Sequence, residues 1–194
     1  SALHLDAVAT SRIFYMEGYL AASPSGLEAA LRARAQARQT GVALALTLSD
    51  MSMINFCRPG LDAMVGDGLD YLFCNEEEAQ TWCQTSDLEQ ICQRMAQLAR
   101  VVCLTRSAKG SIVLADGRQW EVAAAGVKAV DTNGAGDMFA GAFLYAVTQG
   151  HSYAQAAWLG NQAAGRVVSQ FGNRLQSAAV AELKNQFARH LAAA

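Results

Sequence analysis

The chain has 194 residues, of which 52% are apolar and 16% charged, with two prolines. That balance fits one compact globular domain and excludes a disordered or fibrous chain. Fifteen Lys and Arg against seventeen Asp and Glu leave a formal charge of −2, without long blocks of like charge, so the basic footprint of a nucleic-acid-binding protein is absent. No apolar run is long enough to span a bilayer, and no basic segment followed by an apolar one opens the chain. The expectation is therefore no membrane partner and a cytoplasmic location.

The elements alternate from Ser11 onward. Ile13-Phe14-Tyr15-Met16 reads as a buried strand, and Ser23-Pro24-Ser25 opens a helix to about Gln39, stopped by Gly41. Val42 to Leu48 is a continuous apolar segment suited to a central parallel strand. Asp50 to Val65 predicts two helical pieces split at Pro59-Gly60, and Tyr71-Leu72-Phe73-Cys74 is a strand running straight into Asn75-Glu76-Glu77-Glu78. Helices follow over Glu76 to Cys83 and Asp87 to Leu98, then a strand over Val101 to Thr105. An antiparallel pair over Ser111 to Leu114 and Trp120 to Ala123 turns at Asp116-Gly117. Three helices, over about 134–149, 152–169 and 177–191, complete the chain, with Gly150 and Gly172 as terminators.

This rhythm predicts a single α/β domain over residues 1–194, with an open, mostly parallel sheet sandwiched between helices and ligands at the carboxyl ends of its strands. The five cysteines are odd in number and none pairs at metal-binding spacing, so they read as free thiols in a reducing compartment. Three histidines, His4, His151 and His190, sit near the ends or in a turn and offer no triad or metal constellation.

The segment richest in chemistry is Asp131-Thr132-Asn133-Gly134-Ala135-Gly136-Asp137, followed by Met-Phe-Ala-Gly-Ala-Phe. Gly134 and Gly136 permit backbone angles and close approaches that larger residues forbid, so successive amides at the helix start can converge on one anion. With the helix dipole such a spot is worth roughly 0.3 to 2 kcal/mol to a static charge. Asp137, about one turn into the helix, can accept a proton beside that anion, or can simply complement the dipole while the glycines serve a tight turn.

Residues 131–143 resemble the C-terminal signature of the ribokinase-like (PfkB) carbohydrate and nucleoside kinases. Asn133 and the segment Tyr15-Met16-Glu17-Gly18-Tyr19-Leu20 resemble the adenosine-kinase-like branch. The resemblance implies an ATP-dependent kinase that transfers the γ-phosphoryl to a hydroxyl of a small-molecule sugar or nucleoside, with Asp137 as base and the amides of Gly134, Ala135 and Gly136 as anion hole. Asn75 and Glu78 are similar to the family's N-x-x-E motif, which implies that they help place magnesium and phosphates, mostly through water. Thr105-Arg106-Ser107-Ala108-Lys109-Gly110 lies where the family has a T-x-G-x-x-G nucleotide loop, with Ser107 in place of the first glycine, so Thr105, Ser107 and Gly110 become candidate phosphate contacts. Asn161 resembles a residue of the adenine-side helix, and Asp131, Asn133, Val168 and Gly172 a monovalent-cation loop, with potassium the candidate ion.

The resemblance covers only the C-terminal portion of family members, without their lid and opening strands. It implies that this chain alone is inactive and that its exposed sheet edge invites self-association. A nucleotide-binding or regulatory module without turnover is the alternative. A dinucleotide-binding dehydrogenase is disfavoured, because the glycine-rich turn comes after most strands and no G-x-G-x-x-G is present.

Overall fold

The computed structural model describes residues 3–193. Ser1, Ala2 and Ala194, which the expected 1–194 domain includes, lie outside the described residues. The elements run α1 (Leu5–Ala9), β1 (Ile13–Glu17), α2 (Pro24–Thr40), β2 (Ala43–Thr47), α3 (Met51–Phe56), α4 (Arg58–Val65), β3 (Leu69–Asn75), α5 (Glu76–Cys83), α6 (Leu88–Met95) and β4 (Ala99–Thr105). The hairpin β5 (Ser111–Ala115) and β6 (Arg118–Val122) follows, then α7 (Ala135–Thr148), α8 (Tyr153–Val168) and α9 (Ser177–Ala193). The strands form one six-stranded sheet in sequential order. β1 pairs parallel with β2 and β2 with β3, Ile13 lying opposite Ala43 and Thr47 opposite Phe73. Asp116 and Gly117 both have positive φ, 51° and 69°, the backbone of a two-residue hairpin turn that reverses the chain between β5 and β6.

Local chemistry sets these boundaries. Ser23 accepts from the Gly26 N–H at 3.1 Å with Pro24 in the first turn of α2, and Gly41 closes that helix at φ 72°. The break between α3 and α4 falls at Cys57, not at the expected Pro59-Gly60. Pro59 sits within the first turn of α4, where its missing N–H would have had no intrahelical partner. The short α1 and the 3-10 turns over Gly18–Ala22 and Ser107–Lys109 carry no apolar periodicity and were not expected.

The chain divides into two compact units, one holding the residues up to Leu104 together with Leu114–Arg118, the other Thr105–Val113 together with the chain from Gln119 on. The first buries Met16, Leu44, Leu46, Leu48, Leu61, Met64 and Leu72 completely. Its strands β2 and β3 are apolar along nearly their whole length because both faces are covered.

The second unit is built on α7 packed along α8. Phe139 and Phe143 stack at 6.1 Å between ring centroids, and Phe143 stacks on Tyr153 at 6.4 Å. Gly160 on α8 makes room for this: a Cβ there would stand 2.7 Å from the Phe139 ring. α7 therefore starts its exposed first turn from a buried aromatic anchor. Gly160→Ala is expected to cost about 1–3 kcal/mol by overpacking against Phe139, read as a lower urea midpoint with unchanged slope; an unaltered midpoint contradicts this packing.

Candidate active site

The glycine-rich turn enters α7 through Gly134, which caps the helix at φ 77° and ψ 5°. Two things require glycine there. The left-handed backbone strains any L side chain, and a Cβ would come within 2.6 Å of the Cβ of Asn173. The turn is further shaped by Asp131, whose Oδ1 accepts the Asn133 N–H at 3.0 Å.

Of the three amides expected to form the anion hole, that of Ala135 already donates to the Thr132 carbonyl at 3.3 Å. The regular helix ladder begins with the Met138 N–H donating to the Gly134 carbonyl at 2.9 Å. The amides that the helix end leaves without an intrahelical acceptor and without that turn bond are those of Gly134, Gly136 and Asp137. Of the expected Gly134-Ala135-Gly136 set, the Ala135 amide is thus committed to the turn. Gly136 is exposed with open space where a Cβ would stand, and the Asp137 side chain lies at the surface in the same first turn.

The Thr105–Gly110 segment belongs to the same unit. Thr105 ends β4 half-buried, and the chain then tightens into the 3-10 turn, with the Arg106 N–H donating to the Gly110 carbonyl at 2.7 Å and the Gly110 N–H to the Ser107 carbonyl at 3.0 Å. Gly110 has φ 88° and ψ −134°, a glycine-only conformation, and a Cβ there would fall 2.0 Å from the Val122 carbonyl oxygen. Ser107, which stands where the resembling loops carry glycine, adopts φ 51°. The backbone keeps the shape glycine would take, and Ser107 carries the strain.

Asn161 does not face outward as a nucleotide contact would. It is 6% exposed, and its Nδ2 donates to the carbonyls of Val122 and Ala123 at 3.0 and 3.1 Å. Both amide protons are spent on holding the exit of β6 against α8, a positioning role that the sequence around Asn161 does not announce. Val168 and Gly172 lie with Asp131 in one small knot. The Val168 carbonyl accepts the N–H groups of Val130 and Asp131 at 2.7 and 3.2 Å, and the Asp131 Oδ2 accepts the Gly172 N–H at 3.2 Å. The Val168 carbonyl has both lone pairs taken by N–H donors, so it does not fit as a ligand in a cage for a monovalent cation.

In the other unit Asn75 and Glu78 form a complete capping box at the start of α5. Asn75 Oδ1 accepts the Glu78 N–H at 2.8 Å, while Glu78 accepts from the Asn75 N–H at 3.0 Å and from Asn75 Nδ2 at 2.7 Å. Both Glu78 oxygens have one protein donor each, which leaves outward lone pairs for a water but no room for a metal in direct contact with a side chain only 6% exposed. Among the described residues no group of three or more His, Cys, Asp or Glu could hold a metal ion. Asn75 and Glu78 therefore fit a hydrated magnesium held through water. Burial pushes the Glu78 carboxyl above its ordinary 4.5, the bond from the Asn75 N–H pulls it partly back, and the charges of Asp50 and Glu77 add to the push. None of the five cysteines is in a disulfide, and burial drives the thiols of Cys74 and Cys103 well above their usual range, which marks them as core residues.

Residues 1–179 match the family model described as pfkB family carbohydrate kinase. The chain belongs to the pfkB family. It is 28% identical over 187 residues to the adenosine kinase of Schizophyllum commune, an alignment that covers 87% of this chain and 53% of that protein. Among solved structures it superposes with a TM-score of 0.88 on a probable sugar kinase from Rhizobium etli CFN 42, at 35% identity, covering 95% of this chain and 57% of that one. It also superposes on adenosine kinase from Sinorhizobium meliloti, again with a TM-score of 0.88, at 34% identity, covering 94% and 57%. The chain spans about half the length of these pfkB relatives. The matches agree with the ribokinase-like α/β fold read from the sequence. No helix among the described residues is long and apolar enough to cross a membrane.

Two outcomes follow from this geometry. Glu78 takes up a proton more readily folded than unfolded, so its contribution to stability is present below 4.5 and is lost as pH rises through the raised folded value. In thermal melts the wild type should therefore lose stability more steeply than Glu78→Gln as pH is raised above 4.5, and identical slopes would remove the assignment. Relieving the left-handed backbone should make Ser107→Gly more stable by up to about 1 kcal/mol despite the entropy glycine adds to the unfolded chain, seen as a raised urea midpoint; a lowered midpoint counts against the strain.

Proposed function

We propose that this chain carries the nucleotide-binding and phosphoryl-transfer portion of an ATP-dependent kinase whose acceptor is a hydroxyl of a ribose-type sugar or nucleoside. One observation carries the reading: an exposed carboxylate, Asp137, in the first turn of a helix whose Gly136 and Asp137 amides are left open by a glycine turn. The adenosine kinases among the relatives favour a nucleoside acceptor.

In this reading the open amides hold the oxygens of the transferring phosphoryl group as charge shifts onto them. The acceptor oxygen forms a bond to the γ-phosphorus, the bond from that phosphorus to the β,γ-bridging oxygen breaks, and ADP leaves with the electron pair. Asp137 takes the hydroxyl proton, and an ordinary carboxylate suffices because that proton becomes acidic only as the new bond forms. Glu78 and Asn75 would orient the water shell of a magnesium ion, which supplies neutralisation of phosphate charge when bound. The turn at Thr105–Gly110 would offer its remaining main-chain donors to the nucleotide phosphates.

A module that binds nucleotide without turnover is the second reading. It is favoured by Ser107, which stands where the resembling nucleotide loops carry glycine and holds a left-handed backbone at φ 51°.

The test pairs calorimetric titration of magnesium-ATP with transfer of labelled phosphate from ATP to adenosine and to ribose. The kinase reading expects binding together with transfer, and expects Asp137→Asn to lower transfer about 10²- to 10⁴-fold while nucleotide affinity holds within about twofold. Binding with no transfer by the wild type supports the module instead. Undiminished transfer by Asp137→Asn removes the assigned base, and absence of nucleotide binding sinks both readings.

A further inference from the structure

We propose that Asp131 is a positioning residue that clasps the α7 entry turn to the turn after α8, and that in this chain the clasp holds without a monovalent cation. The resemblance to a cation loop rests on Asp131, Asn133, Val168 and Gly172, and the hydrogen bonds at these residues point to a different use. The Asp131 carboxylate bridges two segments. Its Oδ1 accepts from Asn133 two residues on, at 3.0 Å, which shapes the turn entering Gly134, and its Oδ2 accepts from Gly172, 41 residues away, at 3.2 Å. The Val168 carbonyl, which would have to turn a lone pair toward a cation, instead receives two N–H groups, from Val130 at 2.7 Å and Asp131 at 3.2 Å.

A cation bound to that oxygen would sit beside the positive ends of both dipoles, an arrangement that weakens each interaction. The carboxylate charge is likewise offset by two main-chain donors, and such charge-assisted bonds are stronger than neutral ones. The clasp is reinforced by shape. Gly134 lies against Asn173, where a Cβ on Gly134 would stand 2.6 Å from the Asn173 Cβ and 3.1 Å from its Cα. The turn after α8 is itself braced, with Gln170 Nε2 donating to the Arg174 carbonyl at 3.1 Å and the Ser169 hydroxyl to the Arg166 carbonyl at 2.9 Å. Asp131–Gly172 and Gly134–Asn173 thus tie adjacent points of one turn to adjacent points of the other. The direct consequence is that the open amides of Gly136 and Asp137 are aimed by protein contacts alone.

The proposal concerns the same turn as the phosphoryl-transfer reading, but its readout needs neither nucleotide nor turnover, so the two can fail separately. Amide hydrogen exchange is followed by mass spectrometry over peptides spanning 130–134 and 168–173, in potassium chloride and in tetramethylammonium chloride at equal ionic strength. Equal protection in the two salts is expected for the wild type. Asp131→Ala should speed exchange in both peptides about tenfold or more, in both salts alike, as expected for loss of hydrogen bonds to a charged acceptor. Asp131→Asn, which keeps one acceptor oxygen, should fall between. Protection that climbs with potassium and saturates would overturn the cation-free clasp, and this comparison needs no variant. Unchanged exchange at 168–173 in a folded Asp131→Ala protein would overturn the bridging role.

Discussion

The arrangement at α7 depends on a single backbone constraint, the left-handed turn at Gly134 that starts the helix while lying against Asn173. A residue with a Cβ would have to leave that conformation, move the turn after α8, or both. Either change would redirect the first-turn amides, whose direction is the main asset of a helix N-terminus toward an anion. The helix supplies the other half of the constraint from within. Two and six residues beyond Asp137, Phe139 and Phe143 are fully buried and stacked, and α8 has given up a side chain at Gly160 to admit the first of them. The exposed carboxylate is therefore fixed from both sides, by a turn that only glycine makes and by an aromatic anchor that cannot rotate without opening a cavity.

Much of this was legible in the residues. Ser23-Pro24 and Gly41 mark the ends of α2 because each supplies what a helix end lacks, an acceptor for an early amide at one end and a left-handed residue at the other. Asp116-Gly117 announces the hairpin for a similar reason. The errors have equally definite causes. Pro59-Gly60 looks like a break, yet proline in a first helical turn costs nothing, so the break moves back to Cys57. The Ala135 N–H is committed to the Thr132 carbonyl by a turn bond that residue spacing does not specify. Asn161 was placed on the correct helix, but its partners, the carbonyls of Val122 and Ala123, lie far away in the chain, and main-chain acceptors have no signature in sequence.

The Asn75–Glu78 pair shows why a motif can support two descriptions at once. As a capping box it satisfies amides at the start of α5, a local reason for this spacing in any protein. Its carboxyl is also buried and raised by desolvation and by the neighbouring charges of Asp50 and Glu77, which a cap alone does not require. A cap exposed to water would hold the helix equally well at no desolvation cost. The burial makes the carboxylate rigid, held by two hydrogen bonds from Asn75, and a rigid carboxylate can order water around a hydrated cation at little further entropic cost.

The residues of the second unit that resemble family motifs separate according to where their polar atoms are used. Gly136 and Asp137 are exposed at a helix start. The Asn161 amide, both Asp131 oxygens and the Val168 carbonyl are spent on main-chain partners. Asn161 fixes the end of β6 at the point where Gly110 admits the Val122 carbonyl with no side chain between, and Asp131 fixes the turn that leads into Gly134. Each spends its polar capacity on backbone that would otherwise be loop, where ordering costs about 1–2 kcal/mol per residue. The exposed groups need that expenditure, because an amide can stabilise charge developing on a phosphoryl group only if it already points there before the charge appears.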